Sequence, residues 1–303
     1  MANITINGAN YNDVPRLDVP SQSGDVSSFY EVSGTLSVTE NGLFDVKDKE
    51  KVDVNVAGSA GGLDVNEILS GAYWNNKNIV YSAAEPLKPY ALANANLSSL
   101  RTTVCTDIGE NALYQSGIKS FIGEKVVNIG YAAFYSSGLT EVELPECTEL
   151  SGSCFSSCNN LEEVNVPLCN KIDSYALNNT KIRKFTSPCN YVDSNAFGNC
   201  SMLEVVDFSP NGTGCIEYSA FYRASIKALV LRGDETTPWR LNDVSAFDTT
   251  PIANGEGYIY VPKGTIEAYK VATNWTVYAD QFRALEDYTV DGTITGELDS
   301  TKI

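Results

Sequence analysis

Eight cysteines are the residues with the widest choice of chemistry in this 303-residue chain. Thiolates bind zinc, pair as disulfides or act as nucleophiles. The sequence has no histidine, which removes the Cys-His and Ser-His-Asp arrangements and the commonest metal ligand. It has no C-x2-C pair, and the spacing of Cys154 and Cys158 is wrong for a zinc knuckle. We therefore expect no metal and no cofactor.

The cysteines follow a repeat of about 21 residues. Seven of them occupy three positions of that repeat, which other units fill with small or aliphatic side chains: Cys105, Cys147, Cys169 and Cys189; Cys158 and Cys200; and Cys154. Free cysteine at such core positions behaves as a small hydrophobe. Only Cys215 falls outside them. We expect reduced structural thiols. Neighbouring coils lie about 4.8 Å apart, so some of the cysteines could still approach one another.

Carboxylates are the other groups that could catalyse a reaction. Glu141, Glu143 and Glu163 lie in the stretches LTEVEL and LEEVNV. Paired carboxylates do acid and base work in glycosidases. The alternation with Val142 and Val164, however, is typical of a short strand with one solvated side. We favour an exposed acidic sheet face and predict that the protein is not an enzyme.

Tyrosines also recur in register with the repeat. They occupy two of its positions: Tyr114, Tyr135 and Tyr222 at one, and Tyr131 and Tyr218 at the other. An exposed tyrosine row would offer large, rigid, amphipathic contacts. The alternative is that the rings only pack over the coil edges. We take these tyrosines, with the three glutamates, as candidate binding residues.

The repeat itself is anchored on a small residue that precedes Leu or Phe. The anchors are Ala91, Ala112, Ala133, Cys154, Ala176, Ala196, Ala220 and Ala246. Four apolar columns accompany most of the anchors at nearly constant offsets, which predicts a solenoid with a continuous core. We expect one short strand per coil, paired into a parallel sheet, and a helical turn or irregular coil around the anchor.

The units IGYAAFYSSGLTEVELP and VDSNAFGNCSMLEVVDF resemble the BspA-type leucine-rich repeat, over about residues 84 to 262. The stretch YIYVPKGTIEAYKVATNWTVYADQFRALED, residues 258 to 287, resembles the closing segment of that family. The resemblance implies a β-rich α/β solenoid with one short strand per coil. A C-terminal strand-helix cap would cover its open end.

The first 56 residues have a different sequence pattern from the repeats. The stretches ITINGANYNDVPRLDVP and GTLSVTENGLFDVKDKEKVDVNV indicate a small all-β module of hairpins with turns at Asn7-Gly8 and Asn41-Gly42. The following AGSAGG, residues 57 to 62, has the composition of a flexible linker. Both long stretches resemble a module of tail and minor structural proteins of phages that infect gut and Gram-positive bacteria. This resemblance implies attachment to other virion or tail proteins.

These patterns predict four regions. Residues 1–56 form the attachment module, 57–83 a linker and the N-terminal edge of the solenoid, 84–257 the leucine-rich-repeat solenoid, and 258–303 the cap and tail.

Charge and hydropathy exclude several partners. With 38 acidic and 21 basic residues the net charge is −17, which opposes binding to nucleic acids and anionic lipids. No apolar run approaches the roughly 20 residues of a membrane span, so we expect no membrane insertion. The start MANITINGANYNDV lacks the features of a signal peptide. We expect the protein to stay in the cell that makes it, or to leave by lysis or on a particle.

The leading hypothesis is a non-enzymatic, tail-associated phage virion protein whose solenoid recognises a host cell-surface protein or glycan. The alternative is an extracellular bacterial surface adhesin of the same repeat family that binds host or matrix proteins. A carbohydrate-active enzyme using the acidic residues is the least favoured reading. A homo-oligomer is compatible with each, although no heptad run predicts a coiled coil.

Overall fold

The computed structural model describes residues 2–6, 9–14, 30–32, 36–38, 44–46, 53–56, 78–81, 84–233 and 235–288. The predicted turns at Asn7-Gly8 and Asn41-Gly42 and the predicted linker at 57–62 lie outside these residues. The chain divides into two compact units, residues 1–146 and 147–303. This division falls within the predicted repeat region, and each unit is described by itself.

Unit 1 is built from β-strands. They are β1 (Ala2–Ile6), β2 (Ala9–Val14), β3 (Tyr30–Val32), β4 (Leu36–Val38), β5 (Phe44–Val46), β6 (Asp53–Val56), β7 (Asn78–Tyr81), β8 (Ser99–Thr102), β9 (Asp107–Ile108), β10 (Ser120–Gly123), β11 (Asn128–Ile129) and β12 (Glu141–Glu143). The main sheet has the order β12-β10-β8-β7-β6-β3-β1-β2, while β9 pairs with β11 and β4 with β5.

Strands β1, β2, β3 and β6 join the same sheet as the first repeats. Strand β6 runs parallel to β7 over four residue pairs, from Asp53 opposite Asn78 to Val56 opposite Tyr81. The pairs β1–β2 and β4–β5 are antiparallel. Backbone pairing therefore extends the repeat ladder of β7, β8, β10 and β12 into the N-terminal strands.

Unit 2 contains the remaining strands and the helices. The strands are β13 (Glu149–Leu150), β14 (Glu163–Asn165), β15 (Lys171–Ile172), β16 (Lys184–Ser187), β17 (Tyr191–Val192), β18 (Val205–Phe208), β19 (Cys215–Ile216), β20 (Ala228–Leu231), β21 (Arg240–Leu241), β22 (Tyr258–Val261) and β23 (Phe282–Ala284). Helix α1 spans Ile266–Val271, and short 3-10 helices span Val244–Phe247, Lys263–Thr265, Trp275–Gln281 and Leu285–Asp287. Two parallel sheets result, β13-β15-β17-β19-β21 and β16-β18-β20-β22-β23.

The predicted fold class, a leucine-rich-repeat solenoid of parallel strands, is confirmed. Most coils also hold a second strand of two residues, such as Asn128–Ile129 or Lys171–Ile172, which pairs with its counterpart in a neighbouring coil. The sequence analysis expected one strand per coil. Two residues are too few to show alternation of apolar and polar side chains, so this second ladder leaves no period-two pattern in the sequence.

The predicted core columns lie inside the coils. Every anchor is at most 5 % exposed, and the Leu or Phe that follows each anchor is at most 1 % exposed. Side chains at one position stack from coil to coil, as for Phe197, Phe221 and Phe247, whose ring planes differ by only 3° and 4° between neighbours. One predicted inward residue, Val164, is only half-buried.

The segments around the first seven anchors form a third ladder instead of a helical turn, whereas the last anchor, Ala246, lies in the 3-10 helix Val244–Phe247. The residue before the anchor and the third residue after it have positive φ, for example Asn111 at 54° and Gln115 at 52°. Alternate backbone N–H groups then donate to carbonyls of the next coil: Asn111 to Tyr131, Leu113 to Ala133 and Gln115 to Tyr135, at 3.0, 2.7 and 2.8 Å. These bonds offset the cost of a left-handed conformation in non-glycine residues.

The predicted C-terminal cap closes the last coil of unit 2. Trp275 is fully buried, with its ring 6.0 Å from that of Phe247, and its indole N–H donates to the Trp239 carbonyl at 2.6 Å. The Tyr278 hydroxyl donates to the Val244 carbonyl at 2.6 Å. Aromatic rings therefore cover apolar surface that a further coil would otherwise bury.

The cap also covers part of the outer sheet face. Ala228, Val230 and Tyr260, on the outer side of β20 and β22, are buried under Leu285 and Tyr288. Next to them Asp207, which the alternation in β18 predicts to point into solvent, is only 8 % exposed. Its carboxylate accepts two hydrogen bonds from Arg232, at 2.8 and 3.1 Å. The expectation of an exposed Asp207 was wrong because the sheet face is covered here and a guanidinium compensates the buried charge.

All eight cysteines are free and buried. Cys215, the one cysteine outside the repeat positions, is 7 % exposed and accepts from the Arg240 guanidinium at 3.3 Å. The prediction of structural core thiols is confirmed by this burial.

Candidate binding surface

Three successive turns of unit 1, residues 89–94, 110–115 and 131–136, present a group of aromatic side chains outward. In each turn the anchor and the next residue point into the core. The tyrosines next to this pair are exposed or half-buried, whereas Asn111 and Ala132 are buried. We define the tyrosine surface as Tyr90, Asn111, Tyr114, Tyr131 and Tyr135. It unites three tyrosines that the sequence analysis selected with two residues that it did not.

Tyr114 and Tyr135 form an ordered stack. They occupy the same position in neighbouring coils, with ring centroids 5.4 Å apart and planes within 8°. Parallel coils lie about 4.8 Å apart, so the ladder itself sets this near-parallel arrangement. Both rings are half-buried, and their order in the free protein lowers the entropy that binding would cost.

Tyr90 and Tyr131 flank Asn111 and are the open rings of the surface. They are 59 % and 58 % exposed. The Tyr90 hydroxyl accepts a hydrogen bond from the Asn111 side-chain amide at 3.1 Å, and the same amide donates to the Glu110 carboxylate at 3.2 Å. Asn111 therefore holds the Tyr90 hydroxyl in place while the ring stays accessible.

The other two predicted tyrosines lie in unit 2, within one turn. Tyr218 is 55 % exposed, and the half-buried Tyr222 ring lies 4.9 Å from the Arg223 guanidinium carbon. Tyr175, which the sequence analysis did not select, is 46 % exposed in an earlier turn of the same unit. The structure therefore brings together Tyr114, Tyr131 and Tyr135, but not Tyr218 and Tyr222 with them.

The predicted glutamates lie on strands, away from the turns. Glu141 and Glu143 are on the outer side of β12 in unit 1, and Glu163 is on β14 in unit 2; all three are exposed. Near the unit 1 pair, Arg101 binds Glu124, which together with the charge of Glu143 raises the pKa of the guanidinium. The strand face is thus a charged surface on a different ladder of the coil.

Charges on the two-residue strands of unit 2 largely pair with one another. The Lys171 ammonium lies 2.7 Å from Glu149 and 2.9 Å from Asp173. Hydrogen bonds to both carboxylates raise the pKa of Lys171, and the bond from Lys171 lowers the pKa of Glu149. Burial has the larger effect on Asp173 and raises its pKa.

The tyrosine surface can bind but offers little for catalysis. Its groups are rings, hydroxyls and an amide, which donate and accept hydrogen bonds and stack without making covalent bonds. Among the residues that the structure describes, no group of three or more His, Cys, Asp or Glu side chains is placed to hold a metal ion. No helix in the described part of the chain is long and apolar enough to span a bilayer.

The sequence pattern did not reveal Tyr90 and Asn111, which each stand directly before an anchor. That position belongs to none of the apolar columns on which the repeat was aligned. A signal for it does exist in the sequence. This position and the one three after the anchor are filled mainly by Asn, Ser, Gln and Tyr, and both have positive φ. Asn tolerates this conformation best among non-glycine residues, so a periodic Asn or Ser just before a buried Ala marks the turn.

Two solved structures are similar to the chain. One is a leucine-rich cell surface protein from Faecalibacterium prausnitzii A2-165, 16 % identical with a TM-score of 0.35, covering 79 % of this chain and 76 % of that one. The other is the pneumococcal vaccine antigen PcpA, 14 % identical with a TM-score of 0.34, covering 75 % of this chain and 81 % of that one. A search of the curated proteins finds no match.

A family model for the BspA type leucine rich repeat region matches in six copies, over residues 85–204 and 127–237. Together these matches span just over half of the 303 residues. They cover all three turns of the tyrosine surface. The chain therefore belongs to the BspA-type leucine-rich-repeat family.

Proposed function

We propose that the chain is a non-enzymatic bacterial cell-surface binding protein that adheres to a host or matrix protein or glycan through the tyrosine surface. One observation carries this proposal. Four partly or largely exposed tyrosines lie on three consecutive turns whose only charged outward residue is Glu110, in a chain with 38 acidic and 21 basic residues. Contact surfaces are enriched in tyrosine and depleted in charge in this way.

The absence of charge on these turns is not required by the backbone. Aspartate tolerates positive φ nearly as well as asparagine, yet none of the described non-glycine residues with positive φ is Asp or Glu. A neutral turn surface on an acidic protein reduces the cost of removing water from it on binding. This supports a contact role over a purely structural one.

A surface location is part of the proposal. The Faecalibacterium prausnitzii protein is described as a cell surface protein, and we extend that location to this chain. The buried thiols suit such an oxidising setting, because burial keeps reagents away from them.

A second candidate is the tail-associated phage protein. It is favoured by the resemblance of residues 1–56 to phage tail modules. In that case the same tyrosine surface would recognise the host, and the N-terminal strands would attach the chain to other virion proteins. Antibodies against the purified chain separate the candidates: labelling of intact bacterial cells supports the first, and labelling of purified phage particles alone supports the second.

Adhesion is tested with the fluorescently labelled full chain. We expect saturable binding to epithelial cells or to immobilised extracellular-matrix extract, and competition by excess unlabelled chain. Binding that never saturates on either surface, or that unlabelled chain does not displace, would overturn the proposal. Incubation with cell-wall glycans in the same assay checks the non-enzymatic role, since release of reducing ends would show turnover.

A further inference from the structure

We propose that the ligand of the tyrosine surface is a neutral glycan. This inference rests on the proposed function and adds the chemical class of the partner. It combines the open rings, the hydrogen-bonding groups around them, the missing charge and the coil spacing.

The open rings provide the stacking platform. Tyr90 and Tyr131, at 59 % and 58 % exposure, leave large apolar faces in water on one small patch. Sugar rings carry C–H groups on one face and bind aromatic rings through that face, where apolar contact and the negative π-face act together. The two rings lie two coils apart, so they can stack on alternate sugars of one chain.

The groups around the rings fit hydroxyl-rich ligands better than a protein interface core. Tyrosine hydroxyls and the exposed amides of Asn94 and Gln115 can each both donate and accept, as a sugar hydroxyl also does. Protein interface cores draw on larger apolar side chains as well. The exposed aliphatic residues in the described part of the chain all lie outside these turns: Val104, Val127, Leu168, Val244, Val271 and Val277.

Charge selects among glycans. The chain carries a net charge of −17, and the outward charged group on these turns is the carboxylate of Glu110. An anionic sugar would be repelled by Glu110 and by the net negative charge of the chain, while the exposed Lys88 lies directly before the first turn. A cationic partner would find stronger attraction at Glu141 and Glu143 on the strand face. The tyrosine surface therefore suits an uncharged glycan.

Coil spacing matches a repeating ligand. Tyr114 and Tyr135 repeat at 5.4 Å, and parallel strands repeat at about 4.8 Å. A glycan lying along the stack would therefore meet one tyrosine ring per coil at Tyr114 and Tyr135, roughly one coil per sugar. Each further sugar adds contact area without requiring any rearrangement of the coils.

The test uses the labelled full chain on epithelial cells and on immobilised oligosaccharides. One portion of the cells is treated with periodate, which destroys vicinal diols, and another with protease. The oligosaccharides are neutral galactose-, glucose- and mannose-terminated chains and their sialylated counterparts. We expect periodate to abolish binding, protease to leave it, and the neutral chains to bind at least tenfold more tightly than the sialylated ones.

Variants locate the site. Tyr131→Ala and Tyr90→Ala should each weaken binding to the neutral oligosaccharides about tenfold, and Tyr131→Phe should retain most of it because the ring remains. Tyr175→Ala, an exposed turn tyrosine of unit 2, is the matched control and should bind as wild type. All three positions are exposed, so unchanged thermal melting is expected to accompany these results.

The outcomes separate the two claims. Binding that survives periodate and is lost after protease, or an absence of binding to every neutral oligosaccharide, would overturn the glycan and leave adhesion standing. Wild-type affinity in both alanine variants would overturn the assignment to the tyrosine surface. A chain that binds neither untreated cells nor matrix extract would overturn the proposed function itself.

Discussion

At the scale of single residues, equivalent positions of the repeat differ in whether a buried polar atom is hydrogen-bonded. The column of small residues that follows each turn is an example. This column lies four residues after the anchor and contains Cys158, Cys200, Thr180 and Ser116, all buried. The Thr180 hydroxyl donates to the Leu177 carbonyl at 3.0 Å. The buried Ser116 hydroxyl has no hydrogen-bond partner among the described residues.

Replacing Ser116 by cysteine should therefore stabilise the protein. An unsatisfied buried hydroxyl costs about 1 kcal/mol or more, and the column accepts cysteine in other coils. We expect Ser116→Cys to raise the free energy of unfolding by about 1 kcal/mol in urea denaturation. Thr180→Val, which removes a hydroxyl that is bonded, should lower it by about as much. A loss of stability in Ser116→Cys would show that the hydroxyl is satisfied in solution.

The thiols of the cysteine columns are held protonated. The thiols of Cys147 and Cys189 donate to the carbonyls of Glu149 and Tyr191, each at 3.2 Å. Burial raises the pKa of Cys147 to about 11 and that of Cys189 to about 12, from an ordinary value of 9.0. The reactive thiolate is thus scarce in the folded protein at neutral pH.

These shifts predict a loss of stability in alkali. Above pH 9 the unfolded chain releases thiol protons that the folded chain keeps, so stability is constant below pH 9 and falls as the pH rises towards 11 and 12. At pH 10.5 each of the two thiols should cost about 2 kcal/mol. Urea denaturation at pH 7.5 and 10.5 measures this. The double variant Cys147→Ala/Cys189→Ala should lose less stability between these two pH values than wild type, and an equal loss would contradict the account.

At the scale of elements, the sequence predicted what is periodic in hydrophobicity and missed what is periodic in backbone conformation. The anchors, such as Ala112, and the ring column, such as Phe134, could be placed because burial selects their side chains. The two-residue strands and the positive-φ turns were not placed, because backbone hydrogen bonds between coils define them and the periodic Asn or Ser that marks the turns follows no hydrophobic pattern. The burial of the outer face of β20 and β22 could not be predicted either, because it depends on where the cap lies.

The turn ladder makes a prediction about alanine. Ala132 has φ of 51°, whereas its neighbour Ala133 is an anchor without positive φ. A left-handed conformation costs an L-residue about 1–2 kcal/mol and glycine almost nothing. We expect Ala132→Gly to stabilise the protein by about 1 kcal/mol in urea denaturation. The matched change Ala133→Gly should destabilise it by about 1 kcal/mol, and equal effects of the two changes would show that φ does not matter here.

At the scale of the whole molecule, the repeat separates scaffold from surface. The same columns that predict the fold carry no information about the partner, since they are buried in every coil. The candidate site was therefore predictable only in part: Tyr114, Tyr131 and Tyr135 from their register, but Tyr90 and Asn111 only once the turns were seen. The sequence equally selected Glu141 and Glu143, which the structure places on a different ladder.

The turn ladder and the strand ladder give the most direct test of the account, because each carries a pair of candidate binding residues in unit 1. The measurement is the Kd of the full chain on the epithelial or matrix surface that it binds, for two double variants. Tyr90→Ala/Tyr131→Ala should weaken binding at least tenfold, about 1.4 kcal/mol, while Glu141→Gln/Glu143→Gln should bind as wild type. Loss of affinity in the glutamine variant with full affinity in the alanine variant would place the contact on the strand face and contradict the account.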